Sequence, residues 1–262
     1  MTFLLALVVL SLAGAFVSGL VGVGGAIVMI PLLLYVPPLL GVGRLDVKTV
    51  TAVTMVQVFV AAASGMLAHS RRRAVRRDLA LVGGLAMAVG SLTGAILSHY
   101  AEDRTLLFVF GLMTLGALAL MFIPIETAGQ PIFAERVEFN RPLAVFVCAV
   151  VGVAAGLVGA GGAFLLVPVL MVVVGLPIRV TIGSSLAITA LAATAGVAGK
   201  IATGQVPMIP MLAVVLGAVP GAQVGALVSR RLSGTGLRRV LFVVTLVSAV
   251  RVWWDLLMPG GH

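Results

Sequence analysis

Long apolar runs separated by short polar breaks make up the whole chain. They lie at about 3–36, 49–68, 79–98, 105–123, 143–174, 181–199, 208–229 and 237–257. About 20 apolar residues cross roughly 30 Å of hydrocarbon as a helix. The residue-by-residue alternation of a membrane barrel is absent, so the spans are predicted to be helical. The expected fold class is therefore an all-α polytopic membrane protein. Two runs, 3–36 and 143–174, are too long for a single ordinary span, since a straight helix of that length would extend about 50 Å.

Those two runs are also copies of each other. Gly19-Leu-Val-Gly-Val-Gly-Gly-Ala-Ile-Val-Met-Ile-Pro31 returns as Gly156-Leu-Val-Gly-Ala-Gly-Gly-Ala-Phe-Leu-Leu-Val-Pro168, with four glycines, an alanine and a proline in the same register. Downstream, Leu45-Asp-Val-Lys48 aligns with Leu176-Pro-Ile-Arg179, Ala63-Ser-Gly65 with Thr194-Ala-Gly196, and Gly90-Ser-Leu-Thr-Gly-Ala95 with Gly217-Ala-Val-Pro-Gly-Ala222. The chain thus reads as repeat 1 (residues 1–123), a polar linker (124–142) and repeat 2 (143–262). Each repeat holds one Gly/Pro-broken segment followed by three transmembrane helices.

The broken segment is either one kinked helix or a hairpin (re-entrant or fully spanning) that returns to the face it entered. Charge decides between them. With kinked helices the 17 Lys and Arg residues divide almost evenly between the two sides. With hairpins the repeats are inverted, and twelve of the 17, including Arg71-Arg-Arg-Ala-Val-Arg-Arg77, Arg230, Arg231, Arg238 and Arg239, fall on one side. Positive loops face the cytoplasm, so the inverted-repeat reading is adopted, with both termini outside.

Composition adds little beyond this. The chain is 61% hydrophobic and 10% charged, with a mean hydropathy of +1.24. Its net charge of +9 sits in short loops, where it sets topology and meets anionic lipid rather than nucleic acid. The lone cysteine, Cys148, excludes an internal disulfide. Met1–Ala15 lacks a basic leader and has a mid-chain counterpart in the second repeat, so it is read as structure and not as a signal peptide.

Paired Gly/Pro-interrupted segments in two halves of a membrane protein point to a transporter's binding site. Non-helical backbone at membrane depth persists only where it is buried or lines a cavity. The pseudo-twofold would bring Gly22, Gly24 and Gly25 together with Gly159, Gly161 and Gly162 near the midplane. Helices starting after these turns would aim free N–H groups at the same place, an arrangement suited to an anion. Close helix packing is the alternative reading of the glycines.

Polar residues open the next helix of each repeat. Beyond Thr49, the residues Thr51, Thr54 and Gln57 form a stripe at i, i+3 spacing, and Thr181, Ser184, Ser185 and Thr189 occupy the matching stretch, with Thr54 aligned to Ser185. They are either neutral donors to an oxyanion or hydroxyls that bond to the preceding turn and join helices; both readings stay open. Gln223, costly to bury, is expected to face a cavity. His69 and Lys200 are expected near the membrane faces, by snorkelling or surface placement. No acidic residue falls mid-span, which argues against a carboxylate relay. No catalytic constellation, metal-spaced cluster or dinucleotide fingerprint is present, so neither a cofactor nor an enzymatic reaction is expected.

The duplicated G-x-x-G-x-G-G-x(5)-P element, Gly183-Ser-Ser-Leu186 and the Gly217–Ala222 motif resemble the TauE/SafE (TSUP, sulfite exporter) family of bacterial permeases. The first repeat departs from the pattern at Ala52-Val-Thr54. The resemblance implies a bacterial inner-membrane protein that transports sulfite, sulfoacetate or a related organosulfur anion. The expectation is thus a secondary transporter, an exporter, of a small anion. An anion channel is its nearest rival, and a membrane-embedded enzyme a more distant one. Cargo identity, direction, coupling ion and oligomeric state are left open.

Overall fold

A computed structural model describes residues 2–21, 25–70, 76–123, 139–229 and 234–258. Among these every regular element is helical: α1 (Thr2–Val21), α2 (Ala26–Leu39), α3 (Val47–Ser70), α4 (Arg77–Tyr100), α5 (Asp103–Phe122), α6 (Arg141–Val158), α7 (Ala163–Val172), α8 (Ile178–Ala202), α9 (Met208–Ser229) and α10 (Gly234–Leu257). Seven of the described helices are long and apolar enough to cross a membrane, and α2 and α7 are among the shorter apolar ones. Apolar side chains cover the outside: Leu81, Leu85 and Val89 of α4, Leu212 and Leu216 of α9, and Val243, Val247 and Val250 of α10 are all exposed. Residues 50–58 of α3, in contrast, are wholly buried. The polar inner helix is thus wrapped by helices with apolar outer faces, the distribution a lipid solvent requires.

Each broken segment resolves into two helices. In the first, Gly14 abuts Met29 and Leu32 while Gly25 abuts Ser18, so α2 runs back along α1. The glycines make the break. Gly25 before α2 and Gly162 before α7 both have left-handed backbone (φ 73° and 69°), a region where a Cβ is strained. The prolines, expected to share in the break, do not: Pro31, Pro168 and Pro220 lie inside α2, α7 and α9. At Pro31 the compensation is visible. The missing N–H would have bonded to the carbonyl of Ile27, and the Ser248 hydroxyl of α10 donates to that carbonyl instead, at 2.7 Å.

Two parallel helix pairs are seamed by glycine. Gly217, Gly221 and Gly225 of α9 lie against the backbone of Val8, Leu12 and Phe16 in α1. Gly90 and Gly94 of α4 lie against α6 at Ala149 and Val153, and Gly152 and Gly156 of α6 reciprocate against Met87 and Ser91. A Cβ at any of these positions would meet a carbonyl oxygen. For the Gly90–Ala95 and Gly217–Ala222 motifs, close packing is therefore the correct reading. The central pair, α3 and α8, runs antiparallel. Thr51 near the start of α3 meets Lys200 near the end of α8, and Val58 and Thr189 meet farther along, both at Gly161.

Candidate functional site

Gly25 and Gly161 reach α3 at neighbouring residues. The Gln57 amide nitrogen stands 3.3 Å from where a Cβ on Gly25 would lie. The next residue, Val58, packs on Gly161 together with the Thr189 methyl of α8. Gly159 rests against the backbone of Thr51, and Gly162 against Met87 of α4. Gly159, Gly161 and Gly162 all take positive φ (71°, 59° and 69°), so the second turn fits its surroundings only without side chains. Neither Gly25 nor Gly162 has a side chain capping the helix that follows, and the first N–H groups of a helix lack partners within it. Gly22 and Gly24 lie outside the described residues.

Around these turns sit polar atoms with nothing to bond to. Thr54 Oγ1, both ends of the Gln57 amide, Ser91 Oγ and Thr189 Oγ1 are buried and have no hydrogen-bond partner. They belong to one seam between α3, α4 and α8. Ser91 and Met55, the residue after Thr54, both pack on Gly196 of α8, and Thr189 shares Gly161 with Val58. Other threonines in the described helices instead bond back to their own backbone, as Thr93, Thr114, Thr194 and Thr245 do. A buried donor left unmade costs about 1–3 kcal/mol, and native proteins rarely tolerate several together.

The remaining expected residues have other partners or positions. Thr51 is committed: its hydroxyl donates to the Lys48 carbonyl at 2.8 Å and accepts from the Lys200 ammonium at 3.1 Å. Ser184 accepts from the Arg76 backbone N–H at 3.1 Å, tying the start of α8 to the start of α4. Ser185 is fully buried close by. Gln223 is corrected: its side chain is exposed. It falls between Gly221 and Gly225, whose face is taken up by α1, and so points to the other side of α9.

Lys200 departs furthest from expectation. Predicted to snorkel, it is fully buried, and its ammonium donates to Ser98 Oγ (2.7 Å), Thr51 Oγ1 (3.1 Å) and Gln205 Oε1 (3.2 Å). Gln205 is itself fixed, its amide donating to Thr203 Oγ1 and the Ala95 carbonyl. These partners come from α3, α4 and the α8–α9 loop, so no local pattern in the sequence could have revealed the cage. Thr189 and Ser91 were visible as polar residues in apolar runs, but nothing in the sequence marks a hydroxyl as unpartnered.

A bundle with an apolar exterior and a closed polar seam beside Gly25 and the Gly159–Gly162 turn is a multi-pass membrane protein. The chain belongs to the sulfite exporter TauE/SafE family, whose model matches residues 6–252. It is 27% identical over 265 residues to the probable membrane transporter protein YunE of Bacillus subtilis, covering 95% of this chain and 97% of that one. A probable membrane transporter protein of Xylella fastidiosa (strain Temecula1) is 29% identical over 247 residues, covering 91% of this chain and 90% of its own. The probable membrane transporter protein YdhB of Bacillus subtilis is 25% identical over 256 residues, covering 94% and 98%. No solved structure matches the chain.

Proposed function

We propose that the protein is a secondary transporter of a small anion, with sulfite or an organosulfur anion such as sulfoacetate as cargo and export as its direction. The observation that carries this reading is the group of unpartnered buried atoms at Thr54, Gln57, Ser91 and Thr189 beside the glycine turns. Hydroxyl and amide N–H donors, with the free N–H groups that open α2 and α7, suit an oxyanion. Because they are neutral, they would hold it firmly enough to replace its water and loosely enough to release it. The family's description supports sulfur as the cargo class.

Alternating access fits the helix directions. The helices α3 and α8 correspond by sequence yet run antiparallel, which supports inverted repeats with the Lys48–Lys200 end outside and the Arg76–Arg141 end cytoplasmic. The two glycine-seamed pairs, α1 with α9 and α4 with α6, each join the two repeats, and they are suited to rock as stiff units about α3 and α8. Thr54, Gln57, Ser91 and Thr189 are sealed from solvent, which favours an occluding transporter over a permanently open channel. Saturable anion flux with counterflow in proteoliposomes is the test. Linear flux without counterflow would favour the channel, and no flux of any candidate anion would sink the proposal.

A further inference from the structure

The Lys200 cage satisfies every donor of the ammonium but leaves its charge unbalanced. Its three partners are a threonine, a serine and a glutamine, all neutral. Among the described residues an ion pair, Arg141 with Asp78, is exposed and near the start of α4, at the opposite end from Ser98. The acidic residues Asp46, Glu102 and Asp103 share that end of the bundle, but the ammonium bonds to none of them, and Lys48 there is positive. Lys48 lies one turn before Thr51, and its ammonium donates to the carbonyl of His99, the neighbour of Ser98. An ammonium withdrawn from water without a counter-charge is costly, by several kcal/mol even after relaxation. Hydrogen bonds to neutral oxygens offset only part of that.

The cage is also continuous with the seam. On α3, Thr51 at the cage leads to Thr54 and Gln57, about 9 Å farther along the axis. On α4, Ser98 at the cage and Ser91 are two turns apart and share a face. On α8, Lys200 shares a face with Gly196 and Thr189, both of which touch the seam. A buried ammonium therefore stands at one end of a path whose inner members are neutral, buried and unpartnered.

We propose that the Lys200 ammonium is the charged exit ligand of this path: a small oxyanion released from the neutral donors of the seam displaces neutral oxygens from the ammonium and leaves past Lys48. The inference rests on the anion-transport reading and adds to it a residue and a selectivity. The site takes an anion small enough to fit between Thr51, Ser98 and Gln205, and it does not take an uncharged molecule of the same shape.

The test is binding of sulfite, with uncharged dimethyl sulfone as control, to the purified full-length protein and three variants. Lys200→Met removes the charge. Lys200→Gln also removes it but leaves an amide that can still donate within the cage. Lys200→Arg keeps the charge. Both neutral variants are expected to weaken sulfite binding by about 10- to 100-fold, the worth of a hydrogen bond to a charged group, with Lys200→Arg weakened far less and dimethyl sulfone not bound by any form. Wild-type binding of sulfite with unchanged affinity in a folded neutral variant would overturn the role of Lys200 and leave the transporter reading intact. Dimethyl sulfone binding to wild type as tightly as sulfite would overturn it too, even if neither neutral variant folds. A wild-type protein that binds no anion, sulfoacetate and thiosulfate included, would instead remove the transport reading itself.

Discussion

The hydroxyl of Thr189 and the amide of Gln57 raise the energy of the empty protein, because buried polar groups without partners lose water and gain nothing. If they await a ligand, removing them should help the empty protein and harm the loaded one. Thr189→Val and Thr54→Val keep side-chain volume and are each expected to leave the melting temperature unchanged or raise it, while weakening sulfite binding severalfold. Thermal melts with and without sulfite read both effects. A lowered melting temperature with unchanged affinity would make these residues packing elements. The glycines give a second prediction at this scale. At Gly161 (φ 59°) a Cβ would press on Val58 and Thr189, whereas at Gly204 (φ 69°) it would meet open space. Gly204→Ala should cost about 1–2 kcal/mol from backbone strain alone, and Gly161→Ala about 1–3 kcal/mol more from overpacking. Equal costs, measured by unfolding, would show that Gly161 is not closely packed. The stripe of Thr51, Thr54 and Gln57 was legible in the sequence because helical spacing alone puts those residues on one face. Their division into one bonded and two unpartnered residues was not, since it depends on Lys200 arriving from a distant helix. Lys200 itself was misplaced because position near the end of an apolar run says nothing about which neighbours close over it.

At the scale of elements, glycine and proline divide the labour differently from what their shared motif suggests. Glycine breaks the long segments through left-handed backbone at Gly25 and Gly162, while proline is absorbed within helices. The Ser248 hydroxyl explains how at Pro31, since it takes the Ile27 carbonyl that a backbone N–H would otherwise hold. Ser248→Ala should therefore destabilise the protein by about 1–2 kcal/mol. Most of that loss should vanish in a Pro31→Ala background, where residue 31 regains its N–H. A double-mutant cycle measures the coupling directly, and additive effects would show that Ser248 does not serve the proline. The duplicated Gly90–Ala95 and Gly217–Ala222 motifs were legible as a pair. Their partners, α6 and α1, were not, because small-residue patterns specify close approach without naming the helix that approaches.

At the scale of the whole molecule, duplication and charge carried most of what was readable. The repeated glycine motif pointed to the breaks before α2 and α7, where Gly25 and Gly162 take left-handed backbone, and the uneven spread of Lys and Arg favoured inverted repeats, an arrangement that labelling tests. The packing order of the ten described helices was beyond reach, because nearly every one has an apolar face that any other could cover. The inverted arrangement predicts that Arg73 and Thr235, replaced singly by cysteine in a Cys148→Ala background, are both labelled from the cytoplasmic side by an impermeant maleimide. Labelling from opposite sides would contradict it. The central claim, alternating access by a small oxidised-sulfur anion, is tested most directly by counterflow. Proteoliposomes loaded with unlabelled sulfite and diluted into a trace of radiolabelled sulfite should transiently accumulate label above equilibrium, saturably, and should not do so when loaded with dimethyl sulfone. Entry of label at a rate indifferent to what is inside, or no entry of sulfite, sulfoacetate or thiosulfate at all, would contradict the account.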